Sequence, residues 1–179
     1  MAGPSAVVLL PDVWTSQEEG EFRVWLAESF RPDGHDWWVL RDPRPLGLPE
    51  HLQTGPMLIE VGRHEADDAG EAAGLARAAG SVPGSEIVLA AAVNGTDDHR
   101  LLAEIAVAIA RRYGGLIGLD GPLPVPTGSA TAREIIRSLR GRWHEIPYRT
   151  AGGDVAVYHV VDAGLLSSWL RHPHFRMVK

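Results

Sequence analysis

The chain has 179 residues, 45% of them hydrophobic and 22% charged, with a formal net charge of -6 and no cysteine. That length gives one domain room for a sizeable core, and the missing cysteines exclude disulfides and thiolate metal sites. Residues 1–90 carry 15 acidic and 6 basic side chains, which argues against general nucleic-acid binding and suits a basic partner.

Residues 1–10 have no basic start or long apolar segment, so no secretory signal is expected. No run reaches the roughly 18 apolar residues that a membrane span needs. The expected location is cytoplasmic. Lys179 is the only lysine among 17 basic residues. With abundant Ala, Gly and Pro, this points to compositional bias rather than to arginines selected for phosphate.

In chain order, residues 6–10 form a short apolar run stopped by Pro11, a first buried strand. Thr15 and Glu18 fit a capping box, which opens a helix carrying Phe22, Trp25, Leu26 and Phe30 on one face. Residues 31–34 end it. Residues 35–40 read as a strand, in which adjacent Trp37 and Trp38 point to opposite faces: one into the core, the other under a helix or exposed. Four prolines make 42–56 a loop, and 57–61 is another strand. Residues 64–80 are acidic and alanine-rich and predict a helix, although its interior glycines weaken it by roughly 1 kcal/mol each.

Residues 86–93 form the strongest strand, apolar without alternation, as expected of a central strand covered on both faces. A helix over 98–113 carries Leu101, Leu102, Ile105, Ile109 and Tyr113. Its wide apolar arc implies burial on more than one side. Gly114 suits the left-handed position that ends helices, and residues 116–119 make a second short strand. The strand–helix–strand unit 86–119 is thus the expected centre of the fold. Alternate prolines exclude regular structure at 120–129, and a short basic helix follows at 130–140. Residues 143–148 and 155–161 flank Gly152-Gly153 as a hairpin. Asp162 caps a last helix with Leu165, Leu166, Trp169 and Leu170, stopped by Pro173. The expected fold is a single α+β domain over 1–179, with a mixed sheet of about five to seven strands and helices packed on it.

Chemistry is sparsely marked. Asp97-Asp98-His99 could act as a carboxylate–histidine general base. At a helix start, though, the simpler reading is a cap favoured by the helix dipole. His144, His159, His172 and His174 lack H-E-x-x-H or comparable spacing, so no metal site is expected. Thr127-Gly128-Ser129 has no Gly-Lys-[Ser/Thr] context, and neighbouring prolines remove N–H donors from a phosphate loop. No G-x-S-x-G or G-x-G-x-x-G is present. Arg133, Arg137 and Arg140 share a helix face and, with Arg142, could meet phosphate; a solvated face is the simpler reading. Six tryptophans are many for this length, and tryptophan is enriched at interface hot spots.

One resemblance adds to this. Asn94-Gly95-x-x-Asp98-His99-Arg100, Tyr113-Gly114-Gly115-Leu116-Ile117, and Ile146-Pro147-Tyr148 with Thr150-Ala151-Gly152-Gly153 carry it. So does the ending Trp169-Leu170-x-His172-Pro173-x-Phe175-Arg176-Met177-x-Lys179. These segments resemble an uncharacterised bacterial family of unknown function, whose members are similar in plan to immunity proteins of polymorphic toxin systems. The resemblance implies no catalytic residues and no cofactor. It implies a protein that binds and neutralises a toxin. The candidate partner-binding residues are then Trp37, Trp38, Asp67, Asp68, Asp97, Asp98 and His99. The alternatives are a small enzyme using His99 with Asp97 or Asp98, a histidine-bound metal, and an arginine-mediated nucleic-acid or phosphate binder.

Overall fold

The first apolar run becomes strand β1 (Ser5–Leu10). Its alternation splits it between two cores: Ala6, Val8 and Leu10 join the larger one, and Val7 and Leu9 the smaller one on the opposite face. The computed structural model describes residues 3–125 and 129–179, and of 129–133 the backbone only. Thr127, Gly128 and the Arg133 side chain lie outside the described residues.

Helix α1 (Ser16–Leu26) starts at the expected capping box: Thr15 Oγ1 accepts from the Glu18 N–H, and the Glu18 carboxylate accepts from the Thr15 N–H. The helix is shorter than predicted. Phe30 leaves it and buries its ring from strand β2 (Phe30–Pro32), which pairs with β3 (Trp37–Leu40). The sequence pattern missed β2, since a phenylalanine four residues past Leu26 fits a helix face as well as a strand.

A single 3-10 turn interrupts the proline-rich loop at Arg44–Leu46. Strand β4 (Met57–Arg63) follows, then helix α2 (Ala69–Ala79), then β5 (Ser85–Ala91). Helix α3 (Thr96–Tyr113) buries ten side chains, as its wide apolar arc requires, and ends at Gly114 with φ +75°. Strand β6 (Leu116–Leu119), helix α4 (Ser129–Ser138), strands β7 (Trp143–Arg149) and β8 (Val155–Val161) and helix α5 (Ala163–Leu170) complete the order. Asp162 caps α5 as expected, accepting from the Leu165 N–H.

The sheet has eight strands in the order β2-β3-β4-β5-β1-β6-β8-β7, more than the sequence suggested. It is not mixed: every described ladder is antiparallel. Strand β2 adds the eighth, and the insertion of β1 between β5 and β6 keeps those two parallel-running strands from pairing directly. β1 lies between β5 and β6, so the strand–helix–strand unit closes around the N-terminal strand.

Helices α1, α3 and α5 cover one sheet face over the larger core. On the other face α2 packs against β7, at the far edge from the strand that precedes it, with Leu75 and Ala78 over Leu9, Ile146 and Val160. Gly74 permits this approach: a Cβ there would stand 3.2 Å from Ile146 Cγ2 and 3.3 Å from Pro147 Cδ. β5 is therefore fully covered on one face only. Ile87, Leu89 and Ala91 are buried, while Glu86, Val88 and Ala90 on the other face are half-buried.

Candidate functional site

The chain leaves β4, third from one edge of the sheet, and enters α2 beside the opposite edge strand, β7. Its crossing segment, residues 64–68, bridges the central strands without covering them. The result is a cleft of about 410 Å³ on the second sheet face. Val7 of β1, Val88 of β5 and Gly118 of β6 lie along it. Gly118 leaves room for the Val7 side chain, since a Cβ would come within 2.7 Å of Val7 Cγ1.

The polar lining is one-sided in charge. Glu65 and Asp67 come from the crossing segment, Glu71 from α2, Glu86 from β5 and Asp120 from the end of β6. Among the described residues no arginine or lysine lines the cleft. Part of this charge is held internally. The Glu71 carboxylate accepts from the Asp67 N–H at 2.6 Å and from the Tyr158 hydroxyl at 2.7 Å. Burial, that hydrogen bond and the surrounding carboxylates hold the Tyr158 phenol well above its usual range, so it stays protonated. Asp120 accepts from the Ser5 hydroxyl at 2.9 Å. Glu65 and Asp67 make no side-chain hydrogen bond among the described residues, and Tyr148 adds a second ring, edge-on to Tyr158 at 5.8 Å.

His64 has the most specific geometry in the cleft. Its side chain is only 6% exposed, and Nδ1 lies 2.7 Å from Glu86 Oε2. A carboxylate can only accept, so the proton belongs on Nδ1. Nε2 is buried and has no hydrogen-bond partner among the described residues. A buried imidazole nitrogen without a partner is uncommon, since the desolvation of such a group is costly. No local pattern marks this pair, because His64 and Glu86 are 22 residues apart in unrelated segments and meet only through the β4–β5 register.

The residues singled out from sequence do not form one site. Asp97, Asp98 and His99 hold structure. Asp98 is buried and accepts from the Gly95 N–H and the Gly55 N–H, both at 2.8 Å. Asp97 accepts from the Gln53 N–H. Asp98 thus closes the start of α3, whose first residue is Thr96 rather than Asp98, and both carboxylates tie the proline-rich loop to the helix. His99 is buried with both nitrogens engaged: Nδ1 accepts from the Met177 N–H at 3.0 Å, and Nε2 donates to Asn94 Oδ1 at 3.0 Å. Burial, then Arg176, holds its pKa below the ordinary histidine value.

Asp68 caps α2 through the Gly70 and Glu71 N–H groups and also accepts the Arg149 N–H of β7. Only Asp67 of the predicted set lines the acidic cleft. Trp38 is core at 5% exposure and Trp37 is 39% exposed. They lie on opposite faces as the strand pattern requires, and neither lines the cleft.

Among the described residues no three histidine or acidic side chains are placed to share a metal ion. His159 Nδ1 accepts from the Leu123 N–H, and His172 Nδ1 from the His174 N–H. Arg142 pairs with Asp162, while Arg137 and Arg140 are exposed. No helix among the described residues is long and apolar enough to cross a membrane. A second hollow, of about 670 Å³, lies at the start of α3 beside His99, His174 and Arg176. Its buried imidazole, His99, has both nitrogens engaged, which leaves the acidic cleft as the better candidate.

The chain belongs to a family of unknown function (DUF6368), whose model matches residues 2–179. No curated protein and no solved structure matches it.

Proposed function

We infer that this protein is a non-enzymatic binding module that receives a basic protein partner on its acidic sheet face. Within that reading it is an immunity protein that neutralises a bacterial toxin by direct binding. One observation carries the inference: five carboxylates from four segments converge on one cleft with no basic side chain lining it among the described residues. Converging like charge is unfavourable unless a partner of opposite charge offsets it, and it speeds encounter with such a partner.

Co-purification with the product of the adjacent gene, with a toxicity assay, tests the reading. The expected result is a stable complex and protection of the producing cell. Replacing both Glu65→Gln and Asp67→Asn should slow association at low salt, with the difference shrinking as salt is added. No complex and no protection would sink the proposal.

A second reading is favoured by the His64–Glu86 pair. A carboxylate that orients an imidazole is the positioning half of a general-base arrangement, and Nε2 beyond it is buried and makes no hydrogen bond among the described residues. It replaces the His99 enzyme reading, whose imidazole has both nitrogens occupied. If His64→Gln abolishes a measured turnover while preserving the fold, the enzyme reading prevails.

A further inference from the structure

We propose that the uncovered part of the second sheet face, over β3, β4, β5 and β1, docks an amphipathic helix of the partner, with its apolar stripe on the sheet and its basic flank toward the acidic crossing segment. This rests on the binding reading above and names the surface and the kind of element it takes. The observation that carries it is apolar. The strand register places Trp37, Leu58, Ala90 and Ser5 in one row across the four strands, with their side chains on one face. The next row holds Glu60, Val88, Val7 and Gly118. Trp37, Leu58, Val88 and Ala90 belong to neither core, and Trp37 is 39% exposed. Helix α2 covers this face only from its far side, where Val7 meets the smaller core. Apolar rows left open to water between polar borders mark a surface that a partner covers.

The occupant is a helix for a hydrogen-bonding reason. β3, β4, β5 and β1 each have a strand on both sides, so their backbone groups pair within the sheet. A strand laid flat on them would find no backbone partners, whereas a helix satisfies its own N–H and C=O groups. The row from β3 to β1 spans three strand spacings, about 14 Å, which a helix of about ten residues matches. Charge decides against a second copy. Exposed Glu60 stands in the second row, and exposed Glu65 and Asp67 lie beyond it on the crossing segment, while Arg31 stands apart at the β2 border. Two copies would set these carboxylates against each other, whereas a basic flank offsets them. Trp37, at the open end of the row, is the anchor, a residue type enriched at interface hot spots.

The test is a titration of the full chain with three labelled probes: a leucine–lysine peptide patterned as an amphipathic helix, the same peptide scrambled, and a leucine–glutamate peptide of the same pattern. Affinity is read from fluorescence anisotropy, and the site from the Trp37 indole N–H signal by NMR. The patterned basic peptide should bind saturably and shift that signal, with the other two at least about tenfold weaker. Trp37→Ser should weaken the patterned basic peptide by about tenfold or more. Trp143→Ser, which removes a tryptophan of similar exposure on the other sheet face, should leave it unchanged. Circular dichroism checks the folding of both variants. Should Trp37→Ser fail to fold, Glu60→Arg decides: it should weaken the basic peptide by about tenfold and strengthen the acidic one.

Equal binding of the patterned and scrambled basic peptides, or no effect of Trp37→Ser, overturns the docking surface. A parent chain that takes no peptide and sediments as a dimer, which Trp37→Ser dissociates, also overturns it and gives the face to a second copy. If no peptide binds and Trp37→Ser captures the adjacent-gene product as well as the parent does, the docking surface falls and the binding reading stands. If the basic peptide binds through Trp37 and no adjacent-gene product is captured, the docking surface stands and the immunity reading falls.

Discussion

Asp98 shows how much a single side chain holds here. Its two oxygens take N–H groups from the start of α3 and from the loop before β4, at 2.8 Å each. Asp98→Ala leaves both donors without a partner, and urea unfolding should show a loss of about 2–4 kcal/mol. Asp98→Asn, which keeps one acceptor oxygen, should lose less. His99 and His159 set the response to acid. Burial comes first in holding both below the ordinary value of 6.5; Arg176 and Lys179 add to it for His99, while Asp98 and Glu145 oppose it. The unfolded chain therefore takes up protons first as pH falls. The stabilisation is full above the unfolded value and is lost progressively below it, toward the folded-state values. Denaturant titrations at pH 7 and pH 5 should show lower stability at pH 5. His99→Gln, weaker at neutral pH, should show a shallower slope.

Elements are held by close approaches that no local pattern reveals. Helix α2 lies on β7 because Gly74 has no side chain to hold them apart. Gly74→Leu should cost about 1–3 kcal/mol by overpacking, read as a lower urea midpoint with unchanged slope. The C-terminal segment is a second case. Met177 is buried and donates to His99, the Arg176 carbonyl accepts the Trp169 indole N–H, and the Val178 carbonyl accepts the Ser5 N–H. Two parts of the family resemblance, the His99 segment and the Trp169 to Lys179 ending, thus meet each other in the structure. Ending the chain at Phe175 should lower stability by about 2 kcal/mol or more, mainly through the lost methionine burial. A midpoint equal to that of the full chain would show the tail to be dispensable.

At the scale of the molecule, an open eight-stranded sheet must manage its edges. β2 is only three residues long. β7 is seven, and its register with β8 places the outward N–H groups on odd positions. The flanking bonds fix this: Asp162 N–H to the Arg142 carbonyl and Thr150 N–H to the Asp154 carbonyl. Pro147 occupies one outward position and has no N–H to offer, while the Arg149 N–H is taken by Asp68. Edge pairing is thus blocked at two of the four outward positions. The double replacement Pro147→Val with Asp68→Ala should raise concentration-dependent association in sedimentation velocity. An average mass no different from the parent's would remove this role for the edge.

Much of the secondary structure was legible in the sequence because it depends on neighbours a few residues away. The capping box at Thr15, the apolar arc of α3, the hairpin around Gly152-Gly153 and the cap at Asp162 all belong to this class. The reading of one aspartate of the Asp97-Asp98 pair as a cap, filled by Asp98, does too. Strand β2, the antiparallel order and the place of β1 between β5 and β6 depend on pairings across the chain, and no periodicity encodes them. The cleft is the strongest case. His64, Glu86, Asp120 and Tyr158 come from four separate segments, and each looks ordinary in its own window. The sequence by itself determined that the N-terminal half is acidic. Only the tertiary structure decided where that charge converges, because α2 crosses to the far edge of the sheet and leaves the central strands open beneath it.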